Sequence, residues 1–306
     1  MSFRLPRVLL LFAALLPIHG CTDEIDVAQA PPTPGCDPCV EWNEPQEPLR
    51  IFGNTYWVGT RGLGAILITS DEGHVLIDGG LAESARPIAE SIRALGFALS
   101  DVKLILNSHA HFDHAGGISA LQRATGARVA ATPWSAEVLE AGESGPGDPQ
   151  YGVLFPMEPV ARVERIADGD TLRVGPLALV AHSTPGHTPG GTTWTWQSCE
   201  DSRCLEMVYA DSQTPVSADD FLYTANESYP SAIDDFRRSH AVLASLTCDV
   251  ILTPHPGASG FWDRLDAGRD APQGLVDGEG CRRYADAASQ ALDRRIAAET
   301  GAAGAE

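Results

Sequence analysis

One stretch constrains this chain more than any other. The strand-like stretch Val102–Leu106 leads without a break into Asn107-Ser108-His109-Ala110-His111-Phe112-Asp113-His114. Imidazole and carboxylate are the groups that hold catalytic zinc while leaving a position open for water. Three histidines and an aspartate within six residues of a strand end therefore read as a metal site. His109 and His111, two apart in a loop, can turn toward one ion. Asp113 and His114, at the start of the next helix, can face a second. A polar turn capping a helix accounts for any one of these residues, but not for all of them together.

The surrounding pattern places that stretch in a fold. Thr55-Tyr56-Trp57-Val58 and Ala65-Ile66-Leu67-Ile68 read as strands broken by glycines, and Val75-Leu76-Ile77 runs straight into Asp78-Gly79-Gly80. A helix-period stretch over residues 84–95 comes next, and then the strand Val102–Leu106. Strand, helix, strand implies a parallel crossover with ligands at the carboxyl end of the strand, where the histidines lie. A second set of strands is predicted at Arg128–Ala131, Thr171–Val174, 177–182, 192–196, 207–209 and Val250–Leu252, with helices over 233–246 and 280–298. The order suggests an α/β domain of two similar halves with helices outside. Two more histidines follow Gly or Pro turns after predicted strands: His187 in Pro185-Gly186-His187-Thr188-Pro189, and His255 in Thr253-Pro254-His255-Pro256-Gly257.

Composition limits the partners. The 306 residues carry a formal charge of -20 and are 43 % hydrophobic, enough for a sizeable core. The acidic excess is spread along the chain and Lys103 is the only lysine, which excludes a nucleic-acid backbone as partner. Arg4 and Arg7 precede an apolar run over residues 8–16, so residues 1–20 read as an export signal. Cleavage before Cys21 would resemble bacterial lipoprotein processing and leave a lipid anchor on a periplasmic protein; ordinary cleavage nearby, with Cys21 lost or left free, is the alternative. Removing Cys21 leaves six cysteines, a number that can pair completely in an oxidising compartment. Residues 21–48 are acidic and proline-rich and read as an extended tether. A single domain is expected over 49–298, with a flexible tail over 299–306. Ser100-Asp101-Val102-Lys103 matches the Ser-x-x-Lys of serine β-lactamases, but with one lysine in the chain the Lys-Thr-Gly element those enzymes also need cannot exist.

The run His109 to His114, with Gly186-His187-Thr188, resembles the metallo-β-lactamase superfamily over nearly the whole mature chain. Narrower features are similar to the subclass B3 metallo-β-lactamases: the opening Thr55-Tyr56-Trp57-Val58-Gly59-Thr60, Leu76-Ile77-Asp78-Gly79-Gly80, Tyr209-Ala210-Asp211-Ser212, and Cys248 with Cys281 flanking His255. The resemblance implies a four-layer αβ/βα sandwich of two mixed sheets with outer helices. It implies two zinc ions, the first held by His109, His111 and His187, the second by Asp113, His114 and His255. It implies hydrolysis of the lactam amide of penicillins, cephalosporins and carbapenems, and so antibiotic resistance, by a hydroxide that Asp113 helps to orient.

Ser212 stands where another subclass has a cysteine ligand. With Thr214 on the same face of an extended chain it would hold the substrate carboxylate, and Gln150 could reach the site from its rim. The family bridge maps to Cys248 and Cys281. Cys199 and Cys204 close a hairpin loop, while Cys36 and Cys39 are left to each other or to reduced thiols. The partner is a small-molecule β-lactam, with the chain acting as a monomer. The competing reading is a lactonase or a thioester hydrolase resembling glyoxalase II, in which an aspartate on the later strand bridges the metals. Asp211 precedes Ser212, and a one-residue shift reverses which of them faces the site.

Overall fold

The computed structural model describes Met1 and residues 27–267 and 273–301. The export signal and Cys21 fall outside the described residues, as does the end of the tail. Two sheets carry the fold. In the first, β1 (Leu49–Phe52), β2 (Thr55–Trp57), β3 (Ile66–Ile68), β4 (His74–Ile77), β5 (Val102–Leu106), β6 (Arg128–Ala131) and β7 (Val163–Arg165) lie side by side in chain order. Its first four strands are antiparallel and β4 to β7 are parallel. In the second, β8 (Thr171–Val174), β9 (Leu177–Ser183), β10 (Thr192–Glu200) and β11 (Arg203–Tyr209) form an antiparallel meander, and β12 (Val250–Leu252) adds parallel to β11.

Side-chain alternation builds the four layers. Successive strand residues point to opposite faces, so Ile66 and Ile68 enter one core while Leu67 enters another. The inner faces of both sheets meet in a core that includes Trp57, Ile77, Leu104, Leu106, Leu179, Trp194, Met207 and Leu252. The outer face of the first sheet packs Leu76, Ile105 and Val129 under α2 (Ala85–Ala94), α4 (Ile118–Thr125) and α5 (Pro133–Ala141). The outer face of the second packs Val208 and Ile251 under α6 (Ala232–Ser245) and α8 (Gly280–Glu299). Strands buried on both faces have no polar side to alternate with, which is why residues 66–68, 75–77 and 104–106 of β3, β4 and β5 read as unbroken apolar runs. This is the αβ/βα sandwich that the resemblance implies. Among the described residues, no helix is long and apolar enough to cross a membrane.

The proline-rich segment departs from the expected tether. Val27, Cys36 and Cys39 are buried, and a one-turn helix, α1 (Pro38–Trp42), carries Cys39 of the Cys36–Cys39 disulfide. The Trp42 carbonyl accepts from Thr60 Oγ1 at 2.6 Å and from Gly62 N at 3.2 Å, while Glu83 accepts from Thr33 N at 2.9 Å. The segment is thus strapped along the domain by bonds to residues distant in sequence. At the other end, α8 includes Glu299, whose carboxylate accepts from the backbone N–H of Tyr223 and Thr224 at 3.1 and 2.9 Å, so the ordered helix passes the expected start of the tail.

Three disulfides fasten the molecule. Cys199 and Cys204 face each other directly across the β10–β11 hairpin, and Cys36 pairs with Cys39. Cys248–Cys281 joins the start of β12 to the first turn of α8 across 33 residues that include His255. Closing a loop of that length removes about 3 to 4 kcal/mol of unfolded-state entropy. Replacing both cysteines with serine is expected to lower unfolding stability by that order, measured by denaturant titration, with about half that change for the short Cys36–Cys39 loop.

Candidate metal centre

β4, β5, β11 and β12 all end at one edge, and a buried carboxylate holds three of those ends together. Asp78, directly after β4, sits at φ 63° with no exposure. Its Oδ1 accepts from Ser108 N at 2.8 Å and Asn107 Nδ2 at 3.2 Å, and its Oδ2 from Ser108 Oγ at 2.7 Å and Tyr209 OH at 2.9 Å. Burial pushes its pKa up, but these donors and the nearby His114 favour the charged form. Asn107 also donates to the His109 carbonyl at 2.8 Å and accepts from Trp194 Nε1 through its own carbonyl at 3.0 Å. The loop that presents the histidines is therefore fixed before any ligand arrives.

The turn leading to His187 depends on glycine. Gly186 has φ 140° and a Cβ there would lie 2.5 Å from the Phe236 ring. After it, His187 turns inward to meet His109 and His111, with ring centroids 4.8 and 5.0 Å away.

The six expected ligands gather into two sets. One donor atom from each of His109, His111 and His187, and one from each of Asp113, His114 and His255, lie within 4.8 Å of one another within their set. The sets adjoin, since the His109 and His114 ring centroids are 4.5 Å apart. In the second set Asp113 Oδ2 lies 3.2 Å from His114 Nε2 and 3.1 Å from His255 Nε2.

Every imidazole of the first set is oriented from behind. His109 Nδ1 lies 2.8 Å from Asp211 Oδ1, His111 Nε2 lies 2.9 Å from Asp148 Oδ2, and His187 Nδ1 donates to the Thr214 carbonyl at 2.8 Å. A proton held on the outer nitrogen leaves a lone pair on the inner one. Among the described residues the inner His109 Nε2, which is buried, has no hydrogen-bond partner, a costly arrangement for an atom meant only to pack.

Electrostatics agree with that reading. Burial, and then the neighbouring histidines, hold His109 well below the usual imidazole range, and burial with His111 beside it pulls His187 down to about 3. Burial pushes Asp211, which lies against His109 Nδ1, well above the usual carboxylate range. Burial opposes ionisation of Asp113, yet His114 and His255 hold its carboxyl well below the usual range. Three imidazole nitrogens in one set, and a carboxylate with two imidazoles in the other, are donor sets that suit zinc.

Ser212 and Asp211 divide as an extended chain requires. Asp211 stands behind His109 and belongs to neither donor set. Ser212 lines a cavity of 440 Å³ together with Thr214 and His255. Gln150 reaches in from its loop, with Nε2 3.4 Å from His187 Nε2. Sequence reading missed the orienting groups. Asp148 lies in a loop 37 residues from the histidine it positions, and the group that fixes His187 is a backbone carbonyl, which no side-chain pattern reveals. Removing an orienting carboxylate typically costs 10- to 100-fold in metal affinity. Asp211→Asn and Asp148→Asn are each expected to weaken zinc binding at the three-histidine set by about that factor, measured by competition with a chromophoric chelator.

Comparison with known proteins agrees with this geometry. Residues 64–198 match the family model of the metallo-beta-lactamase superfamily. The chain is similar to the solved Rm3 metallo-beta-lactamase, at 52 % identity over 87 % of this chain and 100 % of that one, with a TM-score of 0.86. It is similar to MEM-A1, a subclass B3 metallo-beta-lactamase from a soil metagenome library, at 50 % identity over 85 % and 99 % of the two chains and a TM-score of 0.83. SMB-1, solved in a complex with mercaptoacetic acid, is 44 % identical over 84 % and 99 %, with a TM-score of 0.81. Among curated proteins, a hydroxyacylglutathione hydrolase of Bradyrhizobium sp. (strain ORS 278) is 34 % identical over 108 residues, which is 35 % of this chain and 33 % of that protein. The chain thus spans about a third of the length of the curated relatives it matches. Identity of this level along the full length of solved relatives, with both donor sets assembled, establishes that the chain belongs to the metallo-β-lactamase superfamily and, within it, to the subclass B3 metallo-β-lactamases.

Proposed function

We propose that the chain is a zinc-dependent β-lactamase that opens the lactam amide of penicillins, cephalosporins and carbapenems. The observation that carries this reading is the pairing of two adjoining donor sets with an inward Ser212 and an Asp211 turned behind His109. His109, His111 and His187 would hold one zinc, and Asp113, His114 and His255 the other. Bound there, the two ions supply Lewis acidity and make water a nucleophile at neutral pH.

The chain's own groups then position the reactants. Asp113, buried and ionised, accepts a hydrogen bond from the attacking water and fixes its direction. Ser212 Oγ donates to the substrate carboxylate, with Thr214 beside it, and the Gln150 amide contacts the substrate from the rim. No side chain needs to form a covalent bond to the substrate. Three disulfides fit an oxidising compartment, and with the export signal they support a periplasmic location.

A carbapenem, followed by its ultraviolet absorbance, is the direct test. Hydrolysis is expected, lost on chelation and restored by zinc. Asp113→Ala and His255→Ala should each lower kcat/KM by about 100-fold or more, the scale at which catalytic groups contribute. Ser212→Ala should raise KM by about tenfold with kcat nearly unchanged, as befits one hydrogen bond to a charged group. The partial match to hydroxyacylglutathione hydrolases favours a second reading, thioester hydrolysis. A two-zinc protein that cleaves a glutathione thioester and leaves carbapenems intact would establish that reading instead.

A further inference from the structure

The cavity that Ser212 lines does not stop at the donor sets. It continues as a groove between Trp42 on one side and α8 on the other, and its 440 Å³ lie within the range of small-molecule sites. On α8 the groove is bounded by Tyr284, Ala287, Ala288 and Ala291, which recur at i, i+3, i+4 and i+7 and so share one helix face. Three of the four are alanines, so the helix comes close without filling the space. Opposite them, the Trp42 ring lies 5.1 Å from the His255 ring, tilted by 55°. Of the six donor residues, only His255 lines the groove.

Two features mark it as a place for a ligand. Ser212 is 6 % exposed, and among the described residues its hydroxyl has no hydrogen-bond partner although it lines the groove. Among the described residues, no lysine, arginine, aspartate or glutamate lines it, and burying a charge in such surroundings is costly.

We propose that the groove is a subsite for a neutral, apolar substituent on the carboxylate-bearing side of the substrate, with Trp42 stacking on an aromatic part and Ala287 and Ala291 setting its length. The inference rests on the β-lactamase reading above. If Ser212 and Thr214 hold the carboxylate, a substituent on the neighbouring ring carbon of a cephalosporin or carbapenem leaves in the direction of the groove. Penicillins carry only methyl groups there and do not reach it.

The test uses two cephalosporins with the same acylamino group, one with methyl and one with an arylvinyl group at position 3. In the wild-type protein the arylvinyl compound should have the lower KM. Ala291→Leu and Ala287→Leu, which push a larger side chain into the groove while favouring helix, should lower the arylvinyl-to-methyl ratio of kcat/KM by about tenfold, mainly through KM, the scale of one buried ring. Trp42→Ala should lower the same ratio and Trp42→Phe should largely keep it. Zinc content and a cooperative thermal transition identify folded variants. A ratio unchanged within about twofold, well under the tenfold that one buried ring represents, in folded, active Ala291→Leu and Trp42→Ala proteins overturns the subsite. A two-zinc wild-type protein that hydrolyses neither compound overturns the β-lactamase reading instead, and the subsite falls with it.

Discussion

The Asp78 carboxylate is the interaction on which the rest of the site depends. It is fully buried, sits at a backbone angle rarely adopted by a non-glycine residue, and gathers donors from Asn107, Ser108 and Tyr209. Those residues close β5 and β11, so one buried carboxylate joins the two sheets at the edge where the histidines emerge. A buried charge is tolerated only where donors repay its lost hydration. The network therefore holds only when both sheets are docked, and the docked sheets in turn set the distances between the donor sets.

A shell of partly hidden partners passes that order to the metal ligands. Asp211, Asp148 and the Thr214 carbonyl each fix the outer nitrogen of one histidine; Asp211 and Thr214 come from the segment after β11, and Asp148 from a separate loop. Asp148 is itself held by Ser144 Oγ at 3.0 Å and by the Gln150 N–H at 2.8 Å. The loop that brings Gln150 to the rim is thereby tied to the three-histidine set. The N-terminal strap does the same for the other set, delivering Trp42 against His255 through bonds to Thr60 and Gly62.

Much of this was legible in the sequence, for identifiable reasons. β5, β6, β8 and β12 have the bounds that their apolar patterns suggest, because glycines and polar turns punctuate them. The donor residues were visible because strand ends concentrate them into short runs. β7 was missed because only Val163 of its three residues is buried, leaving no period to detect. α5 was missed because it starts at Pro133, where a rigid first turn looks like a loop boundary. The strap over residues 27–48 read as a tether because its stabilising partners, Thr60, Gly62 and Glu83, lie elsewhere in the chain. Local composition cannot register such partners.

The account stands on two metal positions preformed by strand ends and their orienting partners. Anomalous scattering at the zinc edge from crystals of the mature protein tests it most directly. It predicts two peaks per chain, one among His109, His111 and His187 and the other among Asp113, His114 and His255, with Asp211 behind His109. A single peak, or Asp211 directly coordinating an ion, would contradict it.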